Sequence, residues 1–450
     1  MRLSMVRATS PGSPRPSKLR QQAFVRGGSY KVLAPLAIGV VAAFLAFERL
    51  PRGTRRTLWA EDGTLFLADA LRGNYDLLAA YAGYLHVIPR ATALFVVHAF
   101  SVQALAFGMN FSACVITGAV ASIVYVCAED VVSNQAGRAW LALMTVLLPL
   151  VGVEIVANVA NLHSVLMWGA FWGLLRHART LRAAIALACF ELLAALSEVQ
   201  TAFLMPLALL LLWRRRDLRQ LLVVAGCALG VAGQALTALT HEHVRDPHPL
   251  GAALIMQLLG VEVAMPLWVP STGSVRELLH THGWWLAVLA ASPLLLGLGL
   301  SLRFGNREQR WAAMAAWSLG IVVFSASHML NVAVMGGPNY SVLDEAPVLM
   351  RYAAVPSLLF LSALAIGTAA ALRDYPRALG WLGAGSMVAL LVSAAVSLRN
   401  PENLRDRRES WTRQIPAART YCQTPGAVEL HLRISPDPWL ARVPCSRLRE

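Results

Sequence analysis

The chain has 450 residues, 57% of them hydrophobic and only 14% charged, with a mean hydropathy of +0.54. Soluble globular proteins do not use residues in this way, which excludes a soluble enzyme and a nucleic-acid-binding protein. The formal charge of +14, from 39 Lys and Arg against 25 Asp and Glu, therefore has to be read against a membrane, because most of the basic residues flank apolar runs. Six cysteines are too few for a disulfide scaffold. Cys114, Cys127, Cys189 and Cys227 lie in apolar stretches, where a thiol behaves as a small hydrophobe.

Residues 1–31 carry Arg2, Arg7, Arg15, Lys18, Arg20, Arg26 and Lys31, no acid, and several Ser and Pro. Such a segment buries nothing, and a disordered cytoplasmic tail is expected. Residues 32–47 are apolar but run into Phe47-Glu48-Arg49-Leu50-Pro51-Arg52-Gly53, which lacks the small-x-small pattern of a cleaved signal. They read as a retained first span. Residues 32–398 form the membrane-embedded part, with a first outer loop at 48–107. Further apolar runs follow at 108–127, 139–157, 163–175, 183–196, 201–213, 218–239, 283–302, 311–330, 352–372 and 378–398. With the first, this predicts an all-α polytopic membrane protein of about eleven crossings. If the loop at 129–138 is cytoplasmic, so are the arginines at 176–182, 214–219, 303–310 and 373–377, as the positive-inside rule asks. The N-terminus is then cytoplasmic and the C-terminus extracytoplasmic, in a cell or inner membrane. Arg49, Arg52, Arg55 and Arg56 fall outside and are the exception.

This parity leaves 84–104, with Pro89-Arg90 breaking it, and 250–268, with Glu262, Pro266 and Pro270 in or beside it, as juxtamembrane or re-entrant helices on the outer side. Broken, polar-bearing backbone at membrane depth is tolerated where it is buried in protein or lines a cavity. After residue 398 the chain turns polar, and residues 399–450 form an outer tail. Disulfides persist on that side, and a tail of this size profits from a Cys422–Cys445 bridge.

The outer side collects the chemistry. Trp59-Ala60-Glu61-Asp62-Gly63 sets adjacent acids between aromatics, which suits a general base acting on a hydroxyl; the same acids would equally cap the helix that follows. Glu154, Asn158 and Asn161 recur on one helical face, with His163 after them, and read either as a functional polar site or as an interhelical hydrogen-bond network. Glu191 and Glu198 also lie seven apart on one face. The His241–His248 loop is rich in histidine but its spacing matches no zinc motif, so it reads as a solvated loop and no metal is assigned. Arg351, after Asn339, Tyr340, Asp344 and Glu345, stands at a membrane boundary, where it forks a phosphate, snorkels, or pairs with Asp344. No nucleotide-binding or GxSxG motif is present.

Together these features resemble the polytopic glycosyltransferases of the GT-C fold, which use lipid-phosphosugar donors. The likeness is architectural: a short cytoplasmic N-terminus, a first span, then an acidic motif in a long first outer loop. Trp59-Ala60-Glu61-Asp62-Gly63 stands where that fold carries its acidic motif, and Glu154, Asn158, Asn161 and His163 where some members carry a second polar site. The stretches 81–90 and 351–356 are similar to those of uncharacterised bacterial members. The resemblance implies a polyprenyl-phosphate sugar as donor, an extracytoplasmic acceptor, Glu61 or Asp62 as base, and Arg351 with Arg90 on the phosphate. Glu198, at the outer end of its span, is grouped with Glu154, Asn158, Asn161 and His163 as substrate-binding, and no cofactor is expected. The first loop lacks Asp-x-Asp, which puts use of a divalent cation in doubt. A proton-coupled transporter or lipid-linked glycan flippase stands as the alternative, because Glu154, Glu191, Glu198 and the broken helices would suit one.

Overall fold

The computed structural model describes residues 18–149, 155–241, 247–269, 271–331, 350–374, 378–399 and 409–449. Helix α1 (Lys18–Glu48) begins inside the stretch expected to be disordered and continues through the first apolar run. A short π-turn (Asp62–Leu67) and α2 (Ala68–Leu71) follow, then α3 (Val87–Ala99), α4 (Leu105–Cys127), α5 (Gln135–Leu147), α6 (Leu162–Leu175), α7 (Leu181–Ala195), α8 (Met205–Arg215) and α9 (Leu218–Thr240). The chain continues as α10 (Ala252–Leu258), α11 (Thr272–His282), α12 (Trp285–Phe304), α13 (Arg307–Met329), α14 (Ala354–Asp374) and α15 (Ala378–Arg399). Each expected apolar run is thus helical over most of its length.

Six of these helices, α4, α9 and α12 to α15, are long and apolar enough to cross a membrane. The pair α10 and α11, bent by 115°, would add a seventh. Large apolar side chains stay exposed on the outward faces, among them Leu229, Leu236 and Leu239 on α9 and Leu382, Val388 and Val392 on α15. Water does not tolerate such belts and hydrocarbon does, so this is the construction of a multi-pass membrane protein. Helix α14 is the hub, with 94% of its apolar window buried. Close packing rests on small residues: a Cβ on Gly118 of α4 would lie 2.4 Å from the Gly39 carbonyl oxygen of α1, so the two backbones touch only because neither position has a side chain.

Polar contacts sort into two ends of the bundle. At one end Arg176 pairs with Glu129 at 2.7 Å and Asp130 at 3.1 Å, Arg214 pairs with Glu308 at 3.0 Å, and Gln309 donates to the Val131 carbonyl. Helices α5, α7, α9 and α13 start at this end, capped by the side chains of Asn134, Thr180, Asp217 and Asn306, which satisfy amides that no helical turn can reach. These are loops that the positive-inside rule groups together. At the opposite end Arg49 is buried and donates to the carbonyls of Val146, in the last turn of α5, and Pro149, just past it, where a cation offsets the helix dipole. Burial pulls its guanidinium down to about 10, still charged at neutral pH. Arg55 donates to the Leu50 carbonyl and pairs with Glu48. Two of the four exceptional arginines are therefore absorbed by protein contacts, which a count of charges overlooks.

Pro89 lies in the first turn of α3, where a missing N–H leaves no bond unmade. It starts that helix and does not break it, contrary to the sequence expectation. The segment at 250–268 is broken as expected: α10 passes into a π-turn (Leu259–Ala264) that holds Glu262, then a 3₁₀ turn (Met265–Leu267).

The tail departs from the all-α expectation. Helix α16 (Trp411–Cys422) leads to an antiparallel hairpin, β1 (Glu429–Arg433) and β2 (Leu440–Pro444), and to α17 (Cys445–Arg449). Leu432, Ala441 and Val443 are buried and His431, Arg433 and Arg442 exposed, the alternation of a strand pair with one covered face. Cys422 is bonded to Cys445, with Cα atoms 5.2 Å apart. The tail is docked: Trp411 is buried and donates to the Val102 carbonyl, and Ser435 pairs with Trp59 in a parallel bridge.

Candidate functional site

The acidic segment is held from both sides. The Ala60 amide donates to the Ser435 carbonyl at 2.6 Å and the Ser435 amide donates to the Leu58 carbonyl at 3.0 Å, so the tail adds a strand-like contact to the residues just before Glu61. Ala60 itself has φ +28°, a conformation that costs an L-residue of order 1–3 kcal/mol and persists only where its surroundings impose it. The two acids then diverge. Asp62 is fully buried, and its carboxylate accepts from the Val159 amide at 3.0 Å and the Ala160 amide at 2.7 Å. Glu61 is half-buried, and its side chain has no hydrogen-bond or ionic partner among the described residues.

Asp62 thereby fixes the turn before α6. The expected helical face of Glu154, Asn158 and Asn161 does not form there, because Ala157 has φ +54° and the chain leaves the helix at that point. Asn158 instead caps the turn, its Oδ1 accepting from the Asn161 amide at 3.1 Å. Asn158 and Asn161 are buried. Glu154 lies outside the described residues, as do Asn339, Tyr340, Asp344, Glu345 and most of the histidine-rich loop.

From this turn a chain of polar contacts crosses the bundle. His163, at the start of α6, meets the buried Glu198 through Nδ1. The other oxygen of Glu198 accepts from the Gln200 amide at 2.7 Å, and the Gln200 side chain donates to Ser327 Oγ at 2.7 Å. The Ser327 carbonyl accepts from the Asn331 side chain, and Asn331 Oδ1 accepts from the Tyr352 hydroxyl at 3.1 Å. Arg351 closes the series, donating to Tyr352 at 3.4 Å with its guanidinium 5.1 Å from the ring centre. Next to Ser327, His328 lies fully buried between the Phe324 carbonyl at 2.9 Å and the Glu262 carboxyl at 2.8 Å. Its Nδ1 must donate to the carbonyl, so its Nε2 meets the carboxyl only if the pair shares one further proton. A buried pair satisfied in this way is rigid and costly to open.

Five of the residues singled out in the sequence, Asp62, Asn158, Asn161, His163 and Glu198, thus meet around one turn, with Glu61 beside them and Arg351 at the far end of the relay. Arg90 is apart. Its guanidinium donates to the Ala79 carbonyl at 2.9 Å and to Asp69 at 3.0 Å, which pins residues 69–79 against α3 and makes it a positioning residue. Glu191 also stands elsewhere, buried in α7 beside Gly173 of α6, both oxygens lacking a hydrogen-bond partner. The relay residues Gln200, Ser327, His328 and Asn331 escaped the reading of the sequence. Only His328 carried a signal, as a lone ionisable residue inside an apolar run; the rest are ordinary helix-end polar residues.

An apolar groove of about 660 Å³ runs between α8 and α13, from Ala202, Phe203 and Val322 near the relay to Arg214, Glu308 and Trp311 at the opposite end of the bundle. Among the described residues no three His, Cys, Asp or Glu side chains come together as a metal site. No protein-family model matches the chain, and no curated protein matches it in sequence.

Proposed function

We propose that the chain is a glycosyltransferase that moves a sugar from a polyprenyl-phosphate donor to an acceptor on the outer face of the membrane. The proposal includes about eleven crossings, the N-terminus in the cytoplasm and the tail outside. One observation carries it: of two adjacent acids, one is spent on backbone amides while Glu61 is left unpartnered on a segment clamped by Asp62 and by the tail. A base must be free to take a proton and yet be held in place. In this reading Glu61 accepts the proton of an acceptor hydroxyl as its oxygen attacks the anomeric carbon. The bond from that carbon to the phosphate oxygen breaks, and polyprenyl phosphate leaves with the electron pair. Direct displacement inverts the anomeric centre. Arg351, at the membrane boundary with its guanidinium beside Tyr352, is the residue proposed to hold the departing phosphate. The apolar groove reaching the relay is suited to the prenyl chain.

Transfer from extracted polyprenyl-phosphate sugars, with the purified chain in nanodiscs, tests this. Glu61→Gln should lower the rate by about 10²- to 10⁴-fold, the usual worth of a general base, with the fold retained. Full activity in that variant sinks the assignment.

A second reading, a proton-coupled transporter or lipid-linked glycan flippase, is favoured by the unpartnered Glu191 and the Glu262–His328 pair at membrane depth. Substrate-driven proton uptake into proteoliposomes, abolished by Glu191→Gln, would select it over the transferase.

A further inference from the structure

The tail hairpin and the π-turn after Glu61 border a shallow, open concavity of about 470 Å³, lined by Thr64, His431, Pro438, Trp439, Leu440 and Arg442. Its floor is tied down, because the Thr64 hydroxyl donates to the Leu440 carbonyl at 2.7 Å. Its rim is cationic. His431 and Arg442 stand directly opposite each other in the strand register, and Arg433 follows His431 on the same face of the sheet. The one acid on that face, Glu429, contacts His431 at 3.3 Å. The guanidinium groups of Arg433 and Arg442 have no partner among the described residues. Arg442 and Arg433 put two positive charges on one face of the strand pair, and an anion bound between them would offset their mutual repulsion. Trp439, half-buried at the edge, offers a flat apolar plate with a polar margin.

We infer that this concavity is the acceptor site and that the acceptor is an acidic saccharide, its ring on Trp439 and its carboxylates or phosphates on Arg442 and Arg433. The inference rests on the transferase reading. Glu61 caps the π-turn that holds Thr64, three residues on, so a ring seated against Thr64 lies within about one helical turn of the base. Two unpaired guanidiniums beside an aromatic plate select an anionic chain over a neutral one, through forked hydrogen bonds as well as charge. A hydroxyl on the floor of a concave surface suits a sugar better than the flat array of a bilayer.

Binding of oligogalacturonate to the full chain in phosphatidylcholine nanodiscs, followed by thermophoresis, tests the inference, with a neutral maltooligosaccharide of equal length as the control. Oligogalacturonate should bind and the neutral chain should not compete. Arg442→Glu and Trp439→Ala should each weaken binding by about 10-fold or more, the loss of one charge-assisted or stacking contact. Both positions are at the surface of the hairpin, and retention of the Cys422–Cys445 bond checks that the variants fold. Equal binding of the neutral chain, indifference to both substitutions, or displacement of oligogalacturonate by phosphatidylglycerol vesicles would overturn it, the last by assigning the basic face to the membrane. Absent binding alongside Glu61-dependent transfer overturns this inference alone. Intact binding in a chain with no transferase activity overturns the acceptor role together with the enzymatic reading.

Discussion

Opening the Cys422–Cys445 bond should loosen the acidic segment, although the two lie far apart in sequence. The bond joins the end of α16 to the start of α17 and closes a loop of 23 residues that contains the whole hairpin. Loop-closure entropy for that length amounts to about 3.4 kcal/mol at 25 °C, equivalent to about 300-fold in the equilibrium between docked and opened tail. The hairpin in turn supplies the carbonyl that the Ala60 amide uses. In a Cys422→Ser, Cys445→Ser variant held in nanodiscs, hydrogen exchange read by mass spectrometry should therefore speed up in two places, by up to about 300-fold in both. One is the hairpin itself. The other is the peptide containing Ala60 and Glu61, whose protection depends on Ser435. Faster exchange in the hairpin with unchanged protection at Ala60 would refute the claim that the tail holds the acidic segment. Unchanged exchange in the hairpin would refute the entropic argument.

Other outcomes follow from single contacts. Asp62→Asn replaces a carboxylate that accepts two amide protons with a group that can accept at only one of its two ends; it should cost about 1–3 kcal/mol in stability, seen as a lower thermal midpoint that Glu61→Gln does not share. Arg49→Met leaves the Val146 and Pro149 carbonyls without their buried donor and should cost about 2–4 kcal/mol, measured by thermal unfolding in detergent. Arg351→Lys keeps the charge and loses the planar fork beside Tyr352; KM for the donor should rise by about 10-fold, with a smaller effect on kcat. An unchanged KM would return Arg351 to a purely structural role.

The membrane-spanning character was written along the sequence itself. Hydrocarbon leaves the backbone no partner but its own helix, so each apolar run from 108–127 to 378–398 could be recognised without knowledge of its neighbours. The adjacent acids, the oddness of Glu191 and Glu262, and the pairing available to Cys422 and Cys445 were visible for similar local reasons. Periodicity misled where a local conformation intervened. Asn158 and Asn161 share a helical face on paper, but Ala157 takes a left-handed conformation, and Asn158 instead caps the turn by accepting from the Asn161 amide. The hairpin was hidden in a polar tail whose strands are only five residues each.

Which acid is free was a different kind of question. Glu61 and Asp62 have the same chemistry and neighbouring places in the chain, and their difference lies in two amide groups 97 and 98 residues away that point at one of them. The relay likewise depends on contacts between segments 21, 35 and 127 residues apart, and the clamp on the acidic segment comes from residues more than 370 positions later. A sequence states which groups are present and which stretches must be helical. The direction in which distant backbone donors and acceptors point, and so which side chains are spent and which are left available, is set only when the helices pack.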